Sequence, residues 1–589
     1  MLIGSRSRAL EQKEGGGEGG GLAETARAGI LAPMRHRPAP PPLEPAWWND
    51  PRYAWALVLL CGAPLVWPSL PPLTDALGHL ARYHVELAID SSPWLHRYFA
   101  FKWALIGNLG VDLLVVPLAP IFGLQLAVKL IALTIPVMTA AGLLLIAREV
   151  YGRVPPTFAF ALPLTYGFPF QFGFLNHCLS MAFALLAFAL WLRLARARRF
   201  GWRALLFVPL GGLIWLTHAF GWAVLCLLCF AAELVRDRGE AHTRLHALWR
   251  AGLSVLPLAP PFLLMLLWRS GHVRGSTGDW FDFPAKHLWL IEALRDRWKA
   301  FDVFSINLLC AIILFGLLNL LRSRSPWIEA GLARLSRHLP EWRLDFERLL
   351  GVATLFLVIA YIMLPRILLG SAYADMRLTP YALAIGLIAL SPPRDSRRFA
   401  SVLAVAGLIF FVARIGTNTW NFIGYDRAYT RQLRAIDHIA PGSRVLVLVN
   451  LQCNRHWPRS RMDHLGSQAI VRKDAFVNGQ WVMPGAQLLS VTYAAAGRFA
   501  TDPTQLLRPE ECRAHNEPTL ADTLAHFPRD AFDYFWLIDM PPERWVHDPG
   551  LMPIWHGKRG ILYRVLHLQP ASATIPSDTP KGSEPRPTQ

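Results

Sequence analysis

The chain has 589 residues, of which 53% are apolar and only 17% charged, too apolar a balance for a soluble protein of this length. Its formal charge of +18 comes from 59 Lys and Arg against 41 Asp and Glu. The positives recur in short clusters between apolar runs instead of forming one patch, so basicity reports membrane topology and not a nucleic-acid partner.

Taken in chain order, residues 1–46 include "GGGEGGG" and "PAPPPLEPA" and lack the apolar content to bury a core, which predicts disorder. The first apolar run opens near Tyr53, far inside the chain, and reads as a retained signal anchor. A span needs about 20 mostly apolar residues. Spans are predicted near 54–70, 124–147, 155–172, 177–194, 203–218, 220–235, 251–268, 303–321, 349–366, 378–391 and 399–415, about eleven in all, within a membrane domain covering 47–416. With the N-terminus inside, the basic clusters at 193–203, 236–250, 322–348 and 394–398 all fall in the cytoplasm. The outward segments are then 71–123, 269–302, 367–377 and everything after about 416.

Residues 101–123 are apolar enough to span, yet counting them would invert every later loop and put the arginines outside. They are therefore read as juxtamembrane or re-entrant. They carry Asp112, an ionisable group in apolar surroundings that calls for a partner, and Lys129 in the next helix is the expected one. Beyond 416 the composition changes to a small α/β domain over 417–569. Helices are expected from Trp420 and over 520–527, with strands at 444–450 and within 467–477, 531–539 and 560–568. Its two cysteines, Cys453 and Cys512, either pair in an oxidising compartment or stay apart, since spacing alone does not decide it. Cys61, Cys178, Cys226, Cys229 and Cys310 sit in apolar runs as small core residues. The tail 570–589 is predicted to be disordered.

The stretch "SLPPLTDALGHLARYHVE" (69–86) opens the first outward segment. Asp75, His79 and Arg82 stand at i, i+4 and i+7, which places a carboxylate, an imidazole and a guanidinium on one helix face. The plain alternative is a solvated interfacial helix with an intrahelical ion pair. A retained first helix, a long first outward loop opening with an Asp, a many-helix bundle and an outward C-terminal α/β domain together resemble the GT-C superfamily of integral membrane glycosyltransferases. "AVKLIALTIPVMTAAGLLLIAREVYGR" (127–153) and the Thr-His turn in "LIWLTHAFGWAVL" (213–225) extend that likeness.

The resemblance implies a sugar donor carried on a polyprenyl phosphate or pyrophosphate, with Asp75 as general base on the acceptor hydroxyl. Single displacement with inversion at the anomeric carbon would follow. His79 or Arg82 would hold the donor phosphate. The sequence departs from the best-known members in having a lone Asp in "TDALG" and no dense outward acidic cluster, so neither a metal nor any other cofactor is indicated.

Two further outward loops carry suitable groups. In "GSTGDWFDFPAKHLW" (275–289), Asp279 and Asp282 flank aromatics that could stack on a sugar, or that simply lie at the lipid interface. In "LPRILLGSAYADMRLTP" (364–380), Arg366, Asp375 and Arg377 suit a lipid phosphate, against the plainer readings of an Asp375–Arg377 contact or headgroup snorkelling. Cys453, His456, Asp463 and His464 are zinc-capable residues at no standard spacing.

The expected protein is a bacterial inner-membrane enzyme, N-terminus cytoplasmic and C-terminal domain periplasmic. It would move a lipid-linked sugar to an envelope glycan, lipid or protein. The rivals are a transporter or lipid-handling protein working through Asp112 and Lys129, and a non-catalytic envelope-assembly protein with the same fold.

Overall fold

The computed structural model describes residues 46–237, 243–270, 276–322, 342–368, 370–453, 456–483 and 485–567. Except for Ala46, the stretches expected to be disordered lie outside these, as do parts of the basic segments at 236–250 and 322–348.

Among the described residues six helices are long and apolar enough to cross a membrane: Leu124–Tyr151, Leu175–Arg196, Phe200–Thr217, Ala219–Asp237, Lys299–Arg322 and Arg397–His438. Arg244–Ser254 and Leu256–Leu267, bent by 46° at their junction, make a seventh if taken as one span. Gly110–Phe122, Arg348–Met363 and Met376–Ile388 are apolar but shorter. Of the roughly eleven expected spans, six or seven are thus helices of full length among the described residues, and proline and glycine divide others. The 54–70 run is divided at Gly62 and Pro64 into Pro51–Leu60 and Ala63–Val66. The 155–172 run is broken by Pro163, Gly167 and Pro169 into Phe158–Ala161, a tight turn of helix at Leu162–Tyr166, and Phe168–Phe172. Gly110–Phe122 contains Pro117 and Pro120 and is about 20 Å long, short of a hydrocarbon core of about 30 Å.

Leu175–Arg196, Phe200–Thr217 and Ala219–Asp237 follow one another with very short connections, so they run alternately up and down. Near one end Glu233 accepts hydrogen bonds from the Trp191 indole and the Arg203 guanidinium, both at 2.8 Å, which satisfies a carboxylate that is almost wholly buried. Near the other end Gly221 packs so closely on Ser180 that a Cβ there would meet the Ser180 Oγ at 2.3 Å.

Asp112 does find a partner, but not Lys129. Its Oδ1 lies 2.7 Å from Arg82 Nη1, both side chains are nearly inaccessible, and Asn176 Nδ2 adds a hydrogen bond at 3.1 Å. Lys129 donates instead to the Val66 carbonyl at 2.8 Å. Asp112 occupies the first turn of its helix, the end that abuts the loop helix Ala76–Ala88, so it faces Arg82 instead of the following helix.

The helix expected from Trp420 is continuous with the span before it. Arg397–Leu433 is a single proline-free helix of 37 residues, about 55 Å long, running from the membrane part into the C-terminal domain. That domain holds a six-stranded sheet in the order Phe476–Val477, Arg444–Asn450, Tyr534–Ile538, Gly560–Val565, Leu551–Gly557, with Leu506–Leu507 also pairing with Arg444–Asn450. Arg444–Asn450 is parallel to its partners because its connections cross over, and Val445 to Val449 are buried as a continuous apolar run. Three of the expected strands are present. Most of 467–477 is instead the helix Gln468–Lys473, leaving only Phe476–Val477 extended.

The domain is sewn to the membrane part. Phe99–Phe101 of the first outward segment pairs antiparallel with Leu489–Val491. Fully buried Arg461 donates to the Pro72 carbonyl and Gln171 Oε1, both at 2.6 Å, and pairs with Asp296 at 2.8 Å. Arg414 pairs with Asp302, which also accepts from the Trp457 indole at 2.7 Å.

Candidate active site

A cavity of about 870 Å³ lies where the first-loop helix, one end of the helical bundle and the C-terminal domain meet. Asp75 lines it. The residue takes the N-cap position of Ala76–Ala88, yet its side chain makes no capping bond. Its backbone is fixed from outside: Asp75 N donates to the Phe172 carbonyl at 2.8 Å, and Gly173, at φ +100°, comes so close that a Cβ would stand 2.9 Å from Asp75 N. Thr74 Oγ1 donates to the Ser460 carbonyl at 3.2 Å, which anchors the same loop to the C-terminal domain.

That domain contributes Asp463, His464 and Asp502 to the cavity. His464 Nε2 lies 3.8 Å from an Asp75 oxygen and 4.0 Å from an Asp502 oxygen, while its Nδ1 is 3.1 Å from the Gly479 carbonyl. With the proton assigned to Nδ1 for that bond, the Nε2 face turns toward both carboxylates. Gln505 Nε2 holds Asp502 from behind at 2.6 Å. The Asp75 side chain is about 14% exposed. Burial, with the negative charges of Asp463 and Asp502 adding to it, pushes its carboxyl well above the usual carboxylate range against the opposing pull of Arg459 and Arg377. Burial also raises Asp502.

His79 lines the same cavity, its ring 5.1 Å from that of Trp481, which in turn lies tilted 4.2 Å from the His464 ring. Burial, with Arg82 and His464 nearby, lowers His79 well below its ordinary value, so the ring is neutral at physiological pH. Arg377 also lines the cavity, held by Ser371 Oγ at 3.0 Å, within 3.4 Å of His218 Nε2 and 4.4 Å over the Phe174 ring. Next to these polar groups the wall turns apolar through Phe220, Trp222, Val224, Leu227, Met265 and Leu364.

The other expected site residues lie elsewhere. Arg82 does not line the cavity because Asp112 holds its guanidinium. Asp375 is buried against Lys286 at 3.1 Å and caps the following turn through Met376 N at 2.8 Å, so neither the expected phosphate role nor the alternative contact with Arg377 describes it. Asp279, Asp282 and Arg366 form a separate, half-exposed cluster at 3.9 to 4.0 Å. Asp282 also caps Phe283–Ile291 through Ala285 N. Trp280, Phe281 and Phe283 stand out into the surroundings there, as interfacial aromatics do.

Cys453 and Cys512 form a disulfide, their Cα atoms 5.6 Å apart, which withdraws Cys453 from any metal site. It ties the segment bearing Asp463 and His464 to the one bearing Arg508 and Glu517, an ion pair on the cavity wall. Among the described residues no group of three or more His, Cys, Asp or Glu side chains is arranged to hold a metal ion. Sequence reasoning marked Asp463 and His464 only as metal-capable and missed Asp502 and Trp481. Asp75 and Asp502 are separated by more than 400 residues, and no local pattern links them.

No family model and no curated protein matches the chain. Among solved structures, the crystal structure of ArnT from Cupriavidus metallidurans bound to undecaprenyl phosphate is similar at a TM-score of 0.43 and 13% identity, over 88% of this chain and 98% of that one.

Proposed function

We propose that the protein is a membrane glycosyltransferase that moves a sugar from a polyprenyl-phosphate-type donor to an acceptor hydroxyl in the cavity, on the periplasmic face of a bacterial inner membrane. The observation that carries this reading is the composition of one cavity. It unites a carboxylate that makes no capping bond (Asp75), a guanidinium (Arg377) and an apolar wall contributed by membrane helices.

Each part has a chemical task. The Asp75 carboxylate takes the proton of the acceptor hydroxyl as that oxygen attacks the anomeric carbon. The bond from that carbon to the phosphate oxygen breaks, and the polyprenyl phosphate leaves with the electron pair while Arg377 steadies its charge. One displacement inverts the anomeric centre. His464, between Asp75 and Asp502, orients Asp75 and offers a path for the proton afterwards. The apolar wall accommodates the isoprenoid chain. The transport reading loses its working pair, since Asp112 is neutralised by Arg82 and not by Lys129.

The test is mass spectrometry of envelope glycans and lipid-linked intermediates in a deletion strain carrying the wild-type gene or Asp75→Asn at matched membrane levels. Failure of the variant to restore a missing sugar, with a polyprenyl-linked donor accumulating, is the expected result. Full restoration would remove Asp75 from the mechanism and the transferase reading with it.

A further inference from the structure

A second cavity, of about 760 Å³, lies at the far end of the bundle. The three consecutive helices locate it. Leu175–Arg196 starts beside the Asp75 cavity with Asn176 and His177 and ends at the second cavity with Ala195 and Arg196. Phe200–Thr217 starts at the second cavity with Phe200 and Arg203 and hands over to His218 at the first. Ala219–Asp237 returns from Phe220 to Arg236 and Asp237. A helix of 22 residues is about 33 Å long, close to the hydrocarbon thickness of a bilayer, so the two cavities face opposite leaflets.

Among the described residues Arg196, Arg198, Arg203, Arg236 and Arg250 line this cavity, with one lining carboxylate, Asp237. Arg203 is buried against the Trp191 ring and held, with Arg236, by Glu233, Arg236 also lies 3.6 Å from Asp237, and Arg196 pairs with Glu149 at 2.8 Å, so these three arginines are fixed in place with their charge partly balanced. Arg198 projects from a tight turn in the left-handed region at φ 54°. The rim is apolar: Leu253, Pro257 and Phe200 line the opening, and Leu245, Leu248 and Trp249 stand largely exposed beside it on Arg244–Ser254. Exposed apolar side chains around a cationic hollow suit neither a soluble anion nor open water. They suit a molecule with a phosphate at one end and acyl chains at the other.

We propose that this cavity binds the headgroup phosphate of an anionic phospholipid from the leaflet opposite the Asp75 cavity, the acyl chains lying over Leu245, Leu248 and Trp249. The site is independent of the transfer reaction.

The test uses the purified full chain in nanodiscs of phosphatidylcholine, alone or doped with phosphatidylglycerol. Thermal midpoint and phosphatidylglycerol retained in native mass spectrometry are measured for the wild type, for Arg198→Ala/Arg250→Ala, and for Arg472→Glu as an exposed-charge control in the C-terminal domain. Phosphatidylglycerol should raise the wild-type and control midpoints, whereas the double variant should lose most of that gain and retain the lipid roughly thirtyfold more weakly. Inorganic phosphate added to phosphatidylcholine discs should give no gain. An unchanged double variant would overturn the proposal, and so would full stabilisation by phosphate alone, which would make the cavity a free-anion site. If the double variant does not fold, Arg198→Ala alone is read by the same criteria.

Discussion

The seam between the membrane helices and the C-terminal domain differs sharply from the cavity beside it in how carboxylates are treated. Along the seam and beneath it each buried acid has its own base: Asp112 with Arg82, Asp296 with Arg461, Asp302 with Arg414, Asp375 with Lys286. In the cavity Asp75 and Asp502 flank one imidazole with Asp463 lining the same cavity, and the arginines that act on Asp75 make no ion pair with it. Paired charges hold elements in register. Crowded ones keep a carboxyl protonated beyond its normal range, which costs stability and suits proton transfer.

The largest effect should come from Asp75 itself. Asp75→Asn in the purified chain should lower sugar transfer about 10²- to 10⁴-fold with the fold intact, measured by turnover at saturating donor together with circular dichroism. Undiminished turnover would erase the distinction between the two regions. Arg82→Ala should act in the opposite way, by leaving Asp112 buried and unpaired at a cost of about 3–5 kcal/mol. It should unfold or fail to accumulate, and Arg82→Ala/Asp112→Leu should recover much of the loss in a denaturation series. A smaller loss, about 2–4 kcal/mol, is expected for Cys453→Ser/Cys512→Ser, with KM for the acceptor rising because the segments carrying Asp463 and Arg508 are no longer tied together. Thermal unfolding under reducing and oxidising conditions checks it.

Much of this was legible in sequence. The apolar runs and the loop helix that carries Asp75 register because hydropathy and helical spacing are local properties. What escaped depends on distance or on backbone breaks. Arg82 read as a ligand for phosphate because its helix face matches that of Asp75. Only tertiary packing turns the first turn of Gly110–Phe122 toward it. Asp375 read as part of a loop suited to a lipid phosphate, yet it is buried against Lys286, some 90 residues earlier. The breaks within apolar runs escaped as well, since Pro163, Gly167 and Pro169 divide what composition alone counts as continuous. Asp502 carries no signal until the C-terminal domain folds over the loop.

The most direct test of the central claim is the pH dependence of sugar transfer by the wild type, Asp502→Asn and Asp463→Asn in the same membranes. The carboxyl of Asp75 is raised in the folded protein, and the base form is the ionised one. Transfer should therefore rise with pH along a limb well above the ordinary carboxylate range. Removing a neighbouring negative charge should move that limb to lower pH in both variants. A limb in the ordinary carboxylate range, or one that stays in place in both variants, would contradict the account.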